Sequence, residues 1–458
     1  MASIIAGPAL PAEAVPVAHG LPLLGNTLDL MRDPASFLVE SYRKYGPVFR
    51  TRAMGRGGLV LAGPEIATFM STREGRDAFR SREVWQGMVR ELGGTEVVNG
   101  ADGERHARLR AIVREGFSRR ALHGEYVALV RGCDNALDRL CAGTESVSVV
   151  ALSQRIAAEQ IGYLMIGRAA TDHAPDILHA VKSIINVHVG GVWPQWMLAL
   201  PRYRRARAGI ERFVAACRRE FARREACGGP DSATMAVLRA NRDAPDLMPD
   251  ENVTITLLGP FIAGLDSMAN TLASAIYGAL RHPDVLRRIQ AEADAMFAAG
   301  PVDDEAVATL KASDGTMMEA MRLWPNAIAQ MRYTAAEFDF GGFRIPANRK
   351  VMLATTVPHF LDEYFPDAAR FDIDRYRRPR SEHLQKGAYS PFGRGPHSCI
   401  GQGMAEGLMT ITLARIFHRY DLSLTAPDYR LETRLTPTPG PAMRFRARIG
   451  GERRPRSS

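Results

Sequence analysis

The chain has 458 residues, a formal charge of +9, 46% hydrophobic residues and 24% charged residues, a balance that fits a soluble globular protein and excludes disorder away from the ends. Five cysteines, Cys133, Cys141, Cys217, Cys227 and Cys399, are odd in number and unevenly spaced, which excludes a disulfide framework or a zinc ribbon and fits a reducing compartment. The arginine clusters at Arg105, Arg108, Arg110 and Arg114, at Arg202, Arg204 and Arg205, and at Arg453, Arg454 and Arg456 lack interleaved aromatics, so RNA and single-stranded DNA are not the expected partners.

Taken in order, residues 1–25 are Pro-rich and lack both a basic leader and an apolar run long enough for an anchor, which predicts a flexible N-terminus on a cytoplasmic protein. Residues 36–61 read as a short helix followed by a hairpin with Gly55, Gly57 and Gly58 at the turn. Helical patterns dominate through residue 325, and a strand-rich patch follows at 331–356. The last residues, 450–458, read as a basic flexible tail. The fold class expected is mainly α with a minor β region, and length alone suggests about three domains.

Residues 251–280 are apolar almost throughout, yet they contain Pro260, Asp266 and Asn270. A mid-helix aspartate costs about 2.5–3.5 kcal/mol on membrane-insertion scales, so a helix through a large core is the better reading and no membrane span is expected. Asp250 is the expected N-cap. Pro260, with Gly259 and Gly264, predicts a loosened stretch near Ala263–Asp266 that presents Asp266 and Ser267 inside an apolar centre. The plain reading of Asp266 is a buried carboxylate capping its own turn.

Farther on, "MMEAMRLWP" sets Glu319 and Arg322 on one helix face, and Arg375 in "FDIDRY" is a second arginine able to complete a buried network around Glu319. Then "SPFGRGPHSCIGQG", residues 390–403, crowds Phe392, Gly393, Gly395 and Gly401 around Cys399 and runs into the helical pattern "MAEGLMTITLARIFHRY". A cysteine at a helix N-terminus sees oriented N–H groups that favour thiolate over thiol.

The pieces "AGLDS", "EAMR", "FDIDRY" and "FGRGPHSCIG" occur in that order, and together they closely resemble the cytochrome P-450 family of haem-thiolate monooxygenases. The resemblance runs from "LPLLGN" and "YRKYGPVF" to "TPTPGPAMRFRARI" and implies one domain over 26–449 in place of three. It implies that Cys399 is the axial ligand of a haem b (iron protoporphyrin IX) lying between the long central helix and the cysteine-loop helix. Phe392, Gly393 and Gly401 would then shape the loop beneath the porphyrin, and His106, Arg110, Arg332 and His397 would hold the propionates. Asp266 and Ser267 take the place of the family's acid and alcohol pair that relays protons. The usual threonine is replaced by Ser267, which keeps the hydroxyl and loses the methyl that restricts its rotamer. Ile373 stands where many relatives have proline.

What the resemblance implies is insertion of one oxygen atom from O2 into a hydrophobic small molecule: a terpenoid, steroid, fatty acid or polyketide-like compound. No Gly-rich dinucleotide loop follows a strand, so electrons originating in NAD(P)H are expected from a separate acidic ferredoxin-type partner at a basic face including Arg105, Arg108, Arg114 and Arg394. By family position the pocket draws on Trp85, Met88, Val189, Trp193, Phe261, Leu265, Ala327 and Ile328, and on residues near Thr438–Pro441. The connector 186–201 reads as core packing at even odds, and otherwise as a substrate lid or a membrane-touching surface. A peroxide-driven peroxygenase of the same fold and a non-catalytic haem sensor or carrier are the alternatives, both disfavoured by the acid and alcohol pair.

Overall fold

Residues 33–62 show how local signals set the first layers. The helix Pro34–Tyr45 starts on Asp33, whose side chain accepts the Ser36 backbone N–H at 3.0 Å, with Pro34 in the first turn where a missing N–H costs nothing. It stops at Gly46, which has φ 81. Strands Val48–Ala53 and Arg56–Ala62 then pair antiparallel, Val48 opposite Leu61 and Phe49 opposite Val60. Strand alternation sends these pairs to opposite faces. Val48 and Leu61 pack with Ile66, Met70, Val351 and Leu353, whereas Phe49 and Val60 pack with Leu38, Val39 and Ile328. Gly57 and Gly58, expected at the turn, lie instead within the second strand opposite Arg52 and Thr51. A Cβ on Gly58 would come within 3.1 Å of Thr51 Oγ1, so that glycine serves cross-strand closeness.

The computed structural model describes residues 9–53, 56–191, 193–228, 232–426, 429–431 and 445–453. They form two compact units, one from residues up to Val84 together with Arg322–Cys399, the other chiefly from Trp85–Met321 and Ile400–Leu431.

The first unit is built on a five-stranded sheet ordered Val48–Ala53, Arg56–Ala62, Lys350–Ala354, Gln330–Thr334 and Phe79–Arg80. One pairing, Arg56–Ala62 with Lys350–Ala354, is parallel and the rest are antiparallel. A small hairpin, Phe338–Phe340 with Phe343–Ile345, turns at Gly341 and Gly342, whose φ values of 58 and 85 suit a two-residue turn that other residues resist. The expected strand-rich patch is thus observed. The N-terminus departs from the flexible reading. Val15 and Ala18 are buried, and the backbone of Pro16 and Ala18 bonds to Arg50 on the edge strand at 2.8 Å, because an edge strand leaves N–H and C=O groups to be paired.

The second unit is helical. Its centre is the helix Asp250–Arg281, which packs along Val149–Ile166. A Cβ on Gly264 would lie 2.8 Å from Ile161 Cδ1, so the small residue permits the close crossing. The cap of this helix is Pro249, and Asp250 is its first residue; an acidic first turn still suits the helix dipole. No break occurs at Pro260. The strands Ser146–Ser148, Arg446–Glu452 and Tyr420–Leu424 form a three-stranded sheet. Residues 450–452, expected in a flexible tail, belong to it, and Arg453 donates to Phe417 O at 2.7 Å and to Asp294 at 3.0 Å. Among the described residues no helix is long and apolar enough to cross a membrane.

Candidate active site

In the first unit the segment 390–399 folds back on itself. The Gly393 N–H donates to Ser390 O at 3.1 Å, Ser398 N–H to Gly395 O at 3.1 Å and Cys399 N–H to Phe392 O at 2.8 Å. Gly393 and Gly395 have φ 71 and 76, which other residues adopt only with strain. A Cβ on Gly393 would also lie 2.3 Å from Gln330 Nε2, and one on Gly395 3.0 Å from Met70 O. The crowding at these two glycines therefore comes from protein neighbours as well as from the turn. The Cys399 thiol is exposed, and the helix Gln402–Arg419 starts just beyond it, with Gly401 at the N-cap and no side-chain cap. Cys133, Cys141 and Cys217 are buried, and burial pushes the Cys141 and Cys217 thiols up to about 12. Those are inert side chains, whereas Cys399 is accessible to a ligand.

Behind the loop lies a buried arginine network. Arg322 and Arg375 are both 0% exposed. Arg322 donates to His359 O at 2.5 Å and Ala368 O at 2.7 Å, Arg375 donates to Pro366 O at 2.6 Å and Asp367 O at 2.7 Å, and both reach Arg370 O. Glu319 is likewise fully buried. One carboxylate on Arg375 is Glu382, at 2.9 Å, which the sequence does not announce because nothing in "SEHL" distinguishes it from a surface acid. Elsewhere in this unit Arg332 is 8% exposed and donates to Met331 O at 2.7 Å and Gln330 Oε1 at 3.3 Å. His397, Phe392 and Ala327 are half-buried. Ile328, expected to line a pocket, packs in the cluster of Leu38, Phe49 and Val60. Arg394, expected on a basic face, turns inward: it donates to Ser390 Oγ at 2.9 Å and Tyr389 O at 2.5 Å, and burial lowers its pKa.

In the second unit the central helix is buried along most of its length but open at its middle. Ala263 is exposed there, and Gly259, Pro260, Gly264 and Ser267 are half-buried. Among the described residues, nothing beyond the chain neighbours and backbone of its own helix lies within 4 Å of a Cβ position on Gly259. Since Gly259, Ala263 and Ser267 recur every fourth residue, they share one face. The Ser267 hydroxyl donates to the Ala263 carbonyl, and Thr271 Oγ1 donates to Ser267 O at 2.9 Å. Asp266 is 8% exposed and does not cap its own turn. It accepts from Gln154 Nε2 at 3.0 Å and pairs with Lys182 Nζ at 3.1 Å. Neither partner was foreseen, although Lys182 is the one charge in the apolar run "AVKSIINV".

His106, 4% exposed, and half-buried Arg110 lie one turn apart on the helix Gly103–Arg114. Arg105 on the same helix is tied down by Glu96 at 2.7 Å and by the carbonyls of Asp246 and Leu247, while Arg108 and Arg114 are exposed. Of the expected pocket residues, Met88, Phe261 and Leu265 are buried and Trp85 and Val189 half-buried. Phe261 meets Phe213 edge-on at 4.8 Å. Trp193 and Trp196 are exposed, at 36% and 63%. Glu91, at the end of the helix Arg82–Glu91, accepts from Tyr203 OH just beyond this connector at 2.7 Å and lies 3.7 Å from His188 Nε2 within it. Val192 and residues 438–441 lie outside the described residues.

Comparison with known proteins bears directly on these features. The family description "Cytochrome P450" matches residues 15–443. Cyclooctat-9-en-7-ol 5-monooxygenase of Streptomyces melanosporofaciens is 28% identical over 88% of this chain and 88% of its own length. Pentalenene oxygenase of Streptomyces avermitilis is 23% identical over 89% of this chain and 91% of its own. A retinoic-acid-bound cyanobacterial cytochrome P450 has the same fold, with a TM-score of 0.80 at 22% identity over 97% of this chain and 100% of that one. A match that spans both units, joined to relatives named for oxygenation, makes this chain a member of the cytochrome P450 family and a monooxygenase.

Proposed function

We propose that Cys399 would hold haem b through its thiolate and that this protein inserts one oxygen atom from O2 into a terpenoid-like hydrophobic substrate, using electrons from a separate ferredoxin served by NAD(P)H. The observation that carries the reading is the exposed Cys399 thiol in a loop braced by its own backbone bonds, at the start of a long helix. Haem-thiolate is the cofactor the family implies. The residues fit such a group. In the first unit the Cys399 thiol stands clear of burial, and in the second the central helix leaves Ala263 exposed with Gly259 and Ser267 half-buried on the same face, as a flat ligand requires. Arg110, Arg332, His106 and His397 would supply donors for its propionates.

When bound, the haem supplies the oxygen and electron-transfer chemistry that side chains lack. The protein's own share is positioning and proton supply. Asp266, held by Gln154 and Lys182, and its chain neighbour Ser267, on the open face of the same helix, would together pass protons toward the reacting oxygen. Ser267 currently spends its proton on the Ala263 carbonyl, so delivery requires the hydroxyl to rotate, which serine does more easily than threonine.

The terpenoid assignment rests on the apolar side chains near the open helix face and on relatives named for cyclooctat-9-en-7-ol and pentalenene. A ferredoxin would find Arg108 and Arg114 available; Arg105 and Arg394 are engaged within the protein and drop out of that surface. The reduced cysteines accord with a cytoplasmic setting.

The test is an optical titration of the ferric protein with terpenoids, steroids, fatty acids and macrolides, run beside Cys399→Ser. A low-spin to high-spin shift confined to terpenoids is expected, with loss of the thiolate spectrum in the variant. An unchanged haem spectrum in Cys399→Ser would remove the ligand assignment. Product formed from peroxide but not from ferredoxin and reductase would favour a peroxygenase, and no product under either condition a sensor or carrier.

A further inference from the structure

The residue before the cysteine loop, Ser390, is held by a histidine that the motif comparison leaves without a role. His359 is 0% exposed. The Ser390 backbone N–H donates to His359 Nε2 at 2.8 Å, so that nitrogen carries no proton, and the ring proton sits on Nδ1, which lies 3.2 Å from the Arg322 carbonyl and donates to it. The return contact is made by the same two residues, because Arg322 Nη1 donates to the His359 carbonyl at 2.5 Å. Tyr389 stacks on the imidazole at 5.2 Å, and the Arg322 guanidinium lies over Phe365 at 5.0 Å. Ser390 in turn roots the loop: its carbonyl accepts the Gly393 N–H and its hydroxyl accepts Arg394 Nε.

We propose that His359 is a positioning residue that locks the cysteine loop to the buried Arg322 helix end, and thereby fixes the Cys399 sulfur where it stays ligated as thiolate. The inference rests on the reading of Cys399 as the haem ligand. A protonated imidazole would present two donors and oppose the Ser390 N–H, so the lock needs the neutral ring. Burial, then the nearby Arg322 and Arg394 charges, push its pKa down to about 3 and keep it neutral. Each end of the ring makes a separate demand, an acceptor toward Ser390 and a donor toward Arg322.

Because the two ends differ, two amides separate them. His359→Gln reaches as far as Nε2 and restores the acceptor for Ser390, His359→Asn restores only the nearer donor for Arg322, and His359→Phe keeps ring volume with neither. Two readouts are taken on each haem-loaded variant: the partition of the ferrous carbon monoxide complex between thiolate-ligated and thiol-ligated absorbance, and hydrogen exchange of the 388–400 segment. His359→Phe and His359→Asn should move the partition toward thiol ligation and lower loop protection roughly tenfold, the scale of one buried hydrogen bond. His359→Gln should retain most of both. Equal loss in all three variants would reduce His359 to packing and overturn the proposal, as would a thiolate partition and protection unchanged in His359→Phe. A wild-type protein without a thiolate spectrum, yet with loop protection that follows the Ser390 bond, would instead overturn the Cys399 assignment and with it the ligation half of the proposal.

Discussion

Asp134 and Asp266 are both buried aspartates of the helical unit, each paired with a cation, yet they are held in opposite ways. Asp134 accepts both arms of Arg415, at 2.8 and 2.9 Å, and Arg419 at 2.9 Å. Both arginine side chains are almost fully buried, at 5% and 2% exposed. Asp266 has one amide and one lysine, and that lysine side chain is 30% exposed. A planar guanidinium pins a carboxylate at two points, whereas an ammonium on a four-carbon stem is a point charge that can swing into water. The first arrangement holds a helix bundle together. The second leaves Asp266 more lightly held, which suits the proposed role in proton transfer.

Breaking the rigid pair should produce the largest effect. Arg415→Ala strands a buried charge on Asp134, and loss of one partner of a buried pair costs about 3–5 kcal/mol. Urea unfolding monitored by far-UV circular dichroism is the measurement. A loss below about 1 kcal/mol would mean that Arg419 alone satisfies Asp134, and that the contrast with Asp266 is one of degree.

Asp266→Asn should invert that pattern. The amide keeps the shape and can keep one partner, so the unfolding free energy should stay within about 0.5 kcal/mol of the wild type. Turnover with O2 should fall by roughly 100-fold or more, the usual worth of a positioned acid or base. Steady-state product formation with a surrogate ferredoxin checks it, and an unimpaired rate would take Asp266 out of the proposed relay.

These two aspartates also mark how far sequence alone carries the argument. Asp266 was legible as a buried carboxylate in an apolar helix, and the compact backbone of the Cys399 loop was legible from its glycines. Glu319, Arg322 and Arg375 were legible as residues that would be buried, as they are. Several residues that meet these groups were not. Glu382, His359, Lys182 and Gln154 lie 7, 37, 84 and 112 positions from the residues they serve, and each has a local pattern shared by ordinary surface or core side chains. Gly57 and Gly58 failed for the converse reason: glycine signals a turn locally, while the demand that selected Gly58 was the neighbouring strand's Thr51. Periodicity reports which face is buried and remains silent on what meets it.

The smallest expected effect is the most direct test of the comparison. Lys182→Arg leaves the charge and offers Asp266 the fork that Asp134 already has. Half-exposed pairs contribute little, about 0–1 kcal/mol, so stability should stay level or rise slightly. If mobility is what Asp266 needs, a tighter grip should slow it, and 1 kcal/mol of extra holding corresponds to about a fivefold loss of rate. The informative readout is therefore the ratio of O2-driven to peroxide-driven product formation in Lys182→Arg and Lys182→Met, because only the former route needs protons delivered for oxygen activation. A ratio that falls in the arginine variant and not in the methionine variant would show that freedom of the carboxylate matters. Equal ratios in both would make Lys182 a surface ion pair and leave Asp266 distinguished from Asp134 by location alone.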